Sequence, residues 1–206
     1  MIEYVPEVYW YNRFKLFRDN IRGAGNLTLS EENNLLQYKA AESTIKDILS
    51  KDRVINEPDC DDYQFLEIGV GSGYWTEFLK QNGVVDYTGI DITDILFDRH
   101  KRQYYMYEFI KQDVTKEPIQ GKYDIIICLD VTQHIIDNNL FEIAMNNIKQ
   151  ALKPGGMLLI TSWLSDEFER VNWYEAKRPL SQYVDIFGKI NNIMQYRDKY
   201  LLQIIN

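Results

Sequence analysis

The chain has 206 residues, 45% of them hydrophobic, and a formal net charge of -8, which suits one globular domain around one core and disfavours a nonspecific binder of nucleic-acid backbones, whose charge has the opposite sign. No apolar run is long enough to span a bilayer, and the opening MIEYVPEVYWYNRFK lacks the basic start and apolar stretch of a secretory leader. Cys60 and Cys128 form neither a metal spacing nor a disulfide framework, so a reducing cytoplasm and a site without metal are expected, with neither membrane nor nucleic acid as partner.

Residues 1–18 read as helical and rich in aromatics (Tyr4, Tyr9, Trp10, Tyr11, Phe14), and RGAGN at 22–26 reads as a loop. Ser30 is a helix N-cap, with Glu31 and Glu32 favourably placed in the first turn. Leu35, Leu36, Ile45, Ile48 and Leu49 carry that helix to about Lys51, and residues 56–62, with Pro58, form a polar loop. Strands and helices then alternate. Strands are predicted at 64–68, 86–92, 107–112, 123–129 and 157–161, and helices at 74–81 and 95–103. Between the last two strands Phe141, Ala144, Ile148, Ala151 and Leu152 mark one face of a long helix that Pro154, Gly155 and Gly156 stop. The run YDIIICL at 123–129 has the continuous apolar character of a central parallel strand. Residues 178–188 suit a short helix. Strands at 189–197 and 199–205 are joined by a turn at Asp198, and so short a connection makes them antiparallel. The alternation predicts a mostly parallel sheet covered on both faces.

The segment FLEIGVGSGYWTEFL at 65–79 is an apolar strand, a glycine turn and a helix. Gly69, Gly71 and Gly73 permit unusual dihedrals and let a ligand approach the backbone. A dinucleotide fingerprint needs a further glycine where Tyr74 stands, which argues against a nicotinamide or flavin enzyme.

Glu67-Ile-Gly69-Val-Gly71-Ser-Gly73 resembles the E-x-G-x-G-x-G motif of class I S-adenosylmethionine-dependent methyltransferases. Three more segments agree in type and order: Tyr87-Thr-Gly-Ile-Asp91, Ile110-Lys-Gln-Asp113-Val114, and Leu152-Lys-Pro-Gly-Gly-Met-Leu-Leu-Ile160. The resemblance implies a Rossmann-like α/β fold: a seven-stranded, mostly parallel sheet with helices on both faces and a C-terminal antiparallel hairpin. The domain would divide into a helical cap (1–62), a cofactor-binding core (63–162), and a substrate-side loop with the terminal strands (163–206). S-adenosylmethionine is the implied cofactor and S-adenosylhomocysteine its product. The implied cofactor-binding residues are Glu67, Gly69, Val70, Gly71, Gly73, Tyr74, Asp91, Ile92, Asp113, Val114 and Asp130. Asp91 would accept from both ribose hydroxyls and Asp113 from the adenine amine. Backbone carbonyls at Gly69 to Gly71, with Asp130, would meet the methionine ammonium, and Glu67 would organise the loop. Asp113 also suits a plain Asx turn, and Asp130 a loop cap.

The acceptor side is read more coarsely. His134, in LDVTQHII after the fourth strand, is the candidate general base, because a histidine titrates near neutrality; the alternative is a pocket wall. Tyr11, Gln133 and Trp163 are candidate acceptor contacts. His100, in the charged stretch HKRQ, reads as a surface residue. Residues 163–173 follow the fifth strand and form a candidate wall or lid, since such loops line the cleft in open α/β sheets. No Asn/Asp-Pro-Pro-Tyr/Phe sequence, no Pro-Cys pair and no Asp-Asn pair after the fifth strand is present. These absences argue against adenine or glutamine-amide, cytosine-carbon and metal-assisted catechol acceptors. The expected activity is methyl transfer to an oxygen or nitrogen of a small molecule. A protein acceptor, or a noncatalytic cofactor-binding regulatory partner, are the alternatives.

Overall fold

The computed structural model describes residues 3–51, 55 and 63–206. Cys60 and the predicted polar loop at 56–62 lie outside the described residues. Helix α1 (Pro6–Phe17) starts on a proline, whose fixed φ and missing N–H suit the first helical position. A 3-10 turn, Ile21–Gly23, leads to α2 (Glu31–Lys51). As the sequence predicts, Ser30 caps α2: its Oγ accepts from the Asn33 N–H at 3.2 Å.

The alternating region gives β1 (Phe65–Ile68), α3 (Tyr74–Gln81), β2 (Tyr87–Asp91), α4 (Phe97–Gln103), β3 (Glu108–Lys111), β4 (Tyr123–Cys128), α5 (Asn138–Ala151) and β5 (Leu152–Ser162). The remainder supplies β6 (Glu169–Arg170), β7 (Ala176–Lys177), α6 (Leu180–Phe187), β8 (Asn192–Tyr196) and β9 (Lys199–Ile205). Seven strands form one sheet in the order β3-β2-β1-β4-β5-β9-β8. Strands β1 to β5 run parallel, while β9 is antiparallel to both β5 and β8. Chain order reverses between β1 and β4, so a crevice opens at their carboxyl ends.

Alternate strand residues bury on opposite faces. Phe65, Ile125, Ile127 and Leu159 pack with Ile45, Leu49, Trp75, Phe78 and Leu79 of α2 and α3. Leu66, Ile126, Leu158 and Ile160 pack with Phe141, Ala144, Met145 and Ile148 of α5 and Tyr183 of α6. Helices therefore cover both faces, as expected.

Three local departures have physical reasons. Helix α5 ends at Ala151, before the proline and glycines expected to stop it, and Leu152 is already extended at ψ 131°. Lys153 precedes Pro154, which disfavours helical geometry there. Strand β8 starts at Asn192 rather than 189: α6 runs to Phe187 with Gly188 as its cap at φ 83°, and residues 189–191 are the link that turns the chain back to the sheet edge. The hairpin of β6 and β7 was not foreseen: two-residue strands carry no periodicity.

The terminal hairpin is fastened to β4 by charge. Asp130 sits just past β4 at φ 60°. Its Oδ2 meets Arg197 Nη1 at 2.8 Å and its Oδ1 meets Lys199 Nζ at 2.9 Å, with all three side chains nearly buried. Breaking such a cluster from one side strands the remaining charges. Asp130→Asn should lower unfolding free energy in urea by about 3–5 kcal/mol. The triple change Asp130→Leu, Arg197→Met, Lys199→Met should lose much less; equal losses would show that the charges themselves are not what matters.

Candidate functional site

A cavity of about 360 Å³ opens at the carboxyl ends of β1, β2 and β4, within the size range of small-molecule sites. Its floor is the loop from Gly69 to Ser72. Gly69, Gly71 and Gly73 have φ of 84°, 52° and 85°, where a side chain is strained. A Cβ at Gly69 would lie 2.4 Å from Val131 Cγ2. One at Gly71 would reach to 3.3 Å from Ala24 Cβ and 3.5 Å from Phe14 Cζ, filling the cleft between the loop and the N-terminal elements.

Asp91, at the end of β2, faces this loop. Its Oδ2 accepts from Gly71 N at 2.9 Å and its Oδ1 from Thr93 N at 3.0 Å. Burial pushes its carboxyl up to about 6, opposed by those backbone donors. The carboxylate lines the cavity and keeps lone pairs for further donors. Ile92, Asp113 and Val114 continue that wall, and Val70 and Tyr74 line the cavity nearer the loop. Asp113 forms the Asx turn held open as its alternative: its Oδ1 accepts from Thr115 N at 3.0 Å and from Thr115 Oγ1 at 2.6 Å, and Oδ2 pairs with Lys116 at 3.0 Å. Burial works against ionisation of Asp113, yet Thr115 and Lys116 hold it below the usual carboxylate range.

Other expected site residues stand elsewhere. Glu67 is 2% exposed and outside the cavity wall. Its Oε2 accepts from Thr76 Oγ1 at 2.8 Å and Tyr87 Oη at 2.5 Å, which ties β1 to α3 and β2. Glu67 thus braces the base of the loop from behind the cavity wall. Gly73 caps α3 without lining the cavity. Asp130 lines it, but its carboxylate is taken by Arg197 and Lys199. Tyr11 is exposed and absent from the wall that Trp10 and Phe14 of the same helix form. Trp163 lies off the cavity, its indole N–H donating to Asp198 Oδ2 at 3.0 Å. Gln133 is buried behind it, donating to the Asp130 carbonyl at 3.0 Å. His100 is no surface residue: it is fully buried, with Nε2 3.0 Å from the Gly71 carbonyl.

His134 does line the cavity, but both ring nitrogens are engaged. Nδ1 lies 3.2 Å from the Tyr174 carbonyl, which it can only approach as a donor, and Nε2 lies 3.3 Å from Gln133 Nε2. The ring stacks on Tyr174 at 5.6 Å and meets Trp10 edge-on at 4.8 Å. Burial pulls its pKa down to about 3, so it is neutral at physiological pH. Tyr4, Trp10 and Arg170 complete this end. Tyr4 and Tyr9 contact Trp173 and Tyr174, so α1 and the β6–β7 hairpin meet over the cavity. Of these residues the sequence marked Tyr4, Tyr9, Trp10 and Phe14, and Arg170 and Trp173 within the candidate wall at 163–173; Tyr174 and Tyr38 carried no signal.

The pattern of the family described as methyltransferase domain matches residues 9–196. The chain belongs to the methyltransferase-domain family. Its fold is that of S-adenosylmethionine-dependent methyltransferases of known structure. The fold resembles that of the 1,6-didemethyltoxoflavin-N1-methyltransferase of Burkholderia thailandensis at TM-score 0.66 and 12% identity, covering 100% of this chain and 92% of that one. It also resembles the N-methyltransferase NodS of Bradyrhizobium japonicum, in complex with S-adenosylhomocysteine, at TM-score 0.57 and 19% identity, covering 70% and 78%. Over 140 residues the methyltransferase is 26% identical to the non-reducing polyketide synthase pkiA of Emericella nidulans, covering 63% of this chain and 6% of the synthase. The chain thus spans a small fraction of the length of that curated relative. Among the described residues no helix is long and apolar enough to cross a membrane.

The residues of the site fit the cofactor that the sequence resemblance implies. A buried carboxylate with spare lone pairs stands beside a glycine cradle that any side chain would fill. Gly71→Val should therefore abolish binding of S-adenosylhomocysteine in calorimetry while circular dichroism shows a folded protein; normal binding would refute the cradle.

Glu67 gives a second test. Its carboxyl is raised from 4.5 to about 8, chiefly by burial, against hydrogen bonds from Tyr87 and Thr76. Between those pH values the folded state keeps a proton that the unfolded chain has released, so stability falls as pH rises across the window. Glu67→Gln should flatten that slope in urea unfolding from pH 5 to 8, and an unchanged slope would remove Glu67 as its source.

Proposed function

We propose that this methyltransferase transfers a methyl group from S-adenosylmethionine to an oxygen or nitrogen of a small-molecule acceptor. The observation that carries the reading is a half-open cavity with two unlike ends. Asp91 and the glycine loop form a polar end, and Tyr4, Trp10 and His134 form an aromatic end roofed by α1 and the β6–β7 hairpin. The small-molecule enzymes that share the fold, named for a toxoflavin precursor in one case, support the same class.

When bound, S-adenosylmethionine supplies a methyl group on a sulfonium, whose departure as a neutral thioether makes the reaction an in-line displacement. The protein's share is alignment and exclusion of water. In this reading Asp91 binds the ribose hydroxyls, and Val70, Ile92 and Val114 sandwich the flat purine. Asp113, already spent on Thr115 and Lys116, fixes the turn that carries Val114. The loop carbonyls at Gly69 and Val70 receive the ammonium. Trp10 and His134 pack against the acceptor and keep water from the methyl group. His134 is a wall: its Nδ1–H is spent on Tyr174 and its Nε2 on Gln133.

The direct test is calorimetry with S-adenosylhomocysteine, followed by turnover on pools of small hydroxyl and amine compounds, read as a 14 Da mass gain. Wild-type protein that fails to bind at 100 µM, on the order of ordinary working concentrations, would overturn the reading. Once an acceptor is found, His134→Gln should keep turnover within about tenfold and leave the acidic limb of the pH–rate profile in place. Loss of a general base would cost roughly 10²–10⁴-fold and remove that limb.

A further inference from the structure

His100 lies on α4, one element away from the glycine loop, and no exposed part of it remains. Its ring is stacked near Phe109 at 5.4 Å and Tyr104 at 6.2 Å, with interplanar angles of 28° and 29°. This packing fixes the plane of the imidazole. In that plane Nε2 lies 3.0 Å from the carbonyl oxygen of Gly71, so Nε2 carries the hydrogen and donates. Nδ1 is buried without a hydrogen-bond partner, an expense that a ring serving only as packing would avoid. The ring also explains Gly73: a Cβ there would stand 2.8 Å from His100 Cε1 and 3.1 Å from Nδ1.

The same Gly71 residue gives its N–H to Asp91 Oδ2 at 2.9 Å. Its two backbone polar groups are thus held from two directions, the N–H by β2 and the carbonyl by α4. A glycine at φ 52° has no side chain to fix it, and an unrestrained loop must be ordered whenever a ligand binds.

We propose that His100 is a positioning residue: as the neutral Nε2–H tautomer it pins the Gly71 carbonyl, so that the loop is already in the shape that S-adenosylmethionine requires. The inference rests on the cofactor reading above. It concerns the loop's shape before binding, with no role for His100 in contacting the cofactor.

Three proteins compared by calorimetry with S-adenosylhomocysteine test it. Wild-type binding establishes the cofactor reading by itself; without it, that reading fails rather than this one. His100→Phe keeps an aromatic ring in the stack and removes the donor, and should weaken binding by about threefold to tenfold, the worth of one net hydrogen bond. His100→Gln keeps a donor near the position of Nε2 and should bind within about twofold of wild type, even if its melting temperature is the lower of the two. Wild-type affinity in His100→Phe would overturn the proposal, as would equal weakening in both variants. Should His100→Phe fail to fold, nitrogen NMR of the wild-type imidazole decides: a protonated Nε2 with bare Nδ1 supports the pin, and the opposite tautomer removes it.

Discussion

The hydrogen bond from Gly71 N to Asp91 Oδ2 is where the sheet becomes a binding site. Strands β1 and β2 are parallel neighbours in register, Ile68 opposite Ile90, so the turn after one and the last residue of the other reach the same edge together. Asp91 is 8% exposed, and a carboxylate so placed is costly unless donors meet it. Two backbone N–H groups do, and burial still leaves its pKa near 6. That residual cost is what an incoming pair of hydroxyl donors would relieve. The loop can supply its N–H only by turning through a positive φ at Gly71, which a side chain would strain, so the same geometry fixes the carboxylate and clears the floor of the cleft.

Beyond β4 the opposite charge organises the wall. Arg178 is 1% exposed and is held by neutral oxygens: the carbonyls of Ile135 and Asp137 and the side chains of Asn138 and Gln182. The faces of Phe141 and Phe168 lie 4.0 and 4.9 Å from its guanidinium carbon. Burial lowers its pKa, but only to about 10, so it remains a cation. Carbonyl dipoles and ring quadrupoles thus serve where a carboxylate would be conventional. The consequence is local: Ile135, Ile136 and Asp137, which line the cavity, are fixed by an arginine that reaches back from beyond the β6–β7 hairpin.

What the sequence made legible follows from range. Strands with continuous apolar runs, the glycine turn and the Ser30 cap are local patterns, and they stand where the residues place them. Asp91 and the glycines also share one short βαβ unit, so their meeting was implied by strand order. The failures are long-range. HKRQ looks like a solvated helix face, and only the packing of α4 against the glycine loop turns His100 inward. Asp130 has the chemistry to meet an ammonium, but the cations that claim it come from 67 and 69 positions later. Tyr11 and Trp10 are adjacent aromatics, and which of them faces the cavity depends on the rotation of α1, set by Arg13 binding the carbonyls of Arg22 and Gly25.

The state of the titratable groups bears on where a proton could go. Asp113 is spent on its own turn, Asp130 on two cations, and Asp137 caps α5 by accepting from Leu140 N at 2.9 Å. His134 is neutral and held at both nitrogens. On the proposed reading, then, these groups contribute shape and field, and the nucleophile's reactivity is the acceptor's own. That division suits a displacement whose leaving group departs without charge. The gain from excluding water lies in exposing an acceptor lone pair that solvent would otherwise cover, and a wall of interlocked rings does this without presenting a charge that would compete for the sulfonium. The aromatic roof and the engagement of these titratable groups elsewhere are therefore parts of one arrangement, in which α1 and the β6–β7 hairpin meet over the acceptor end.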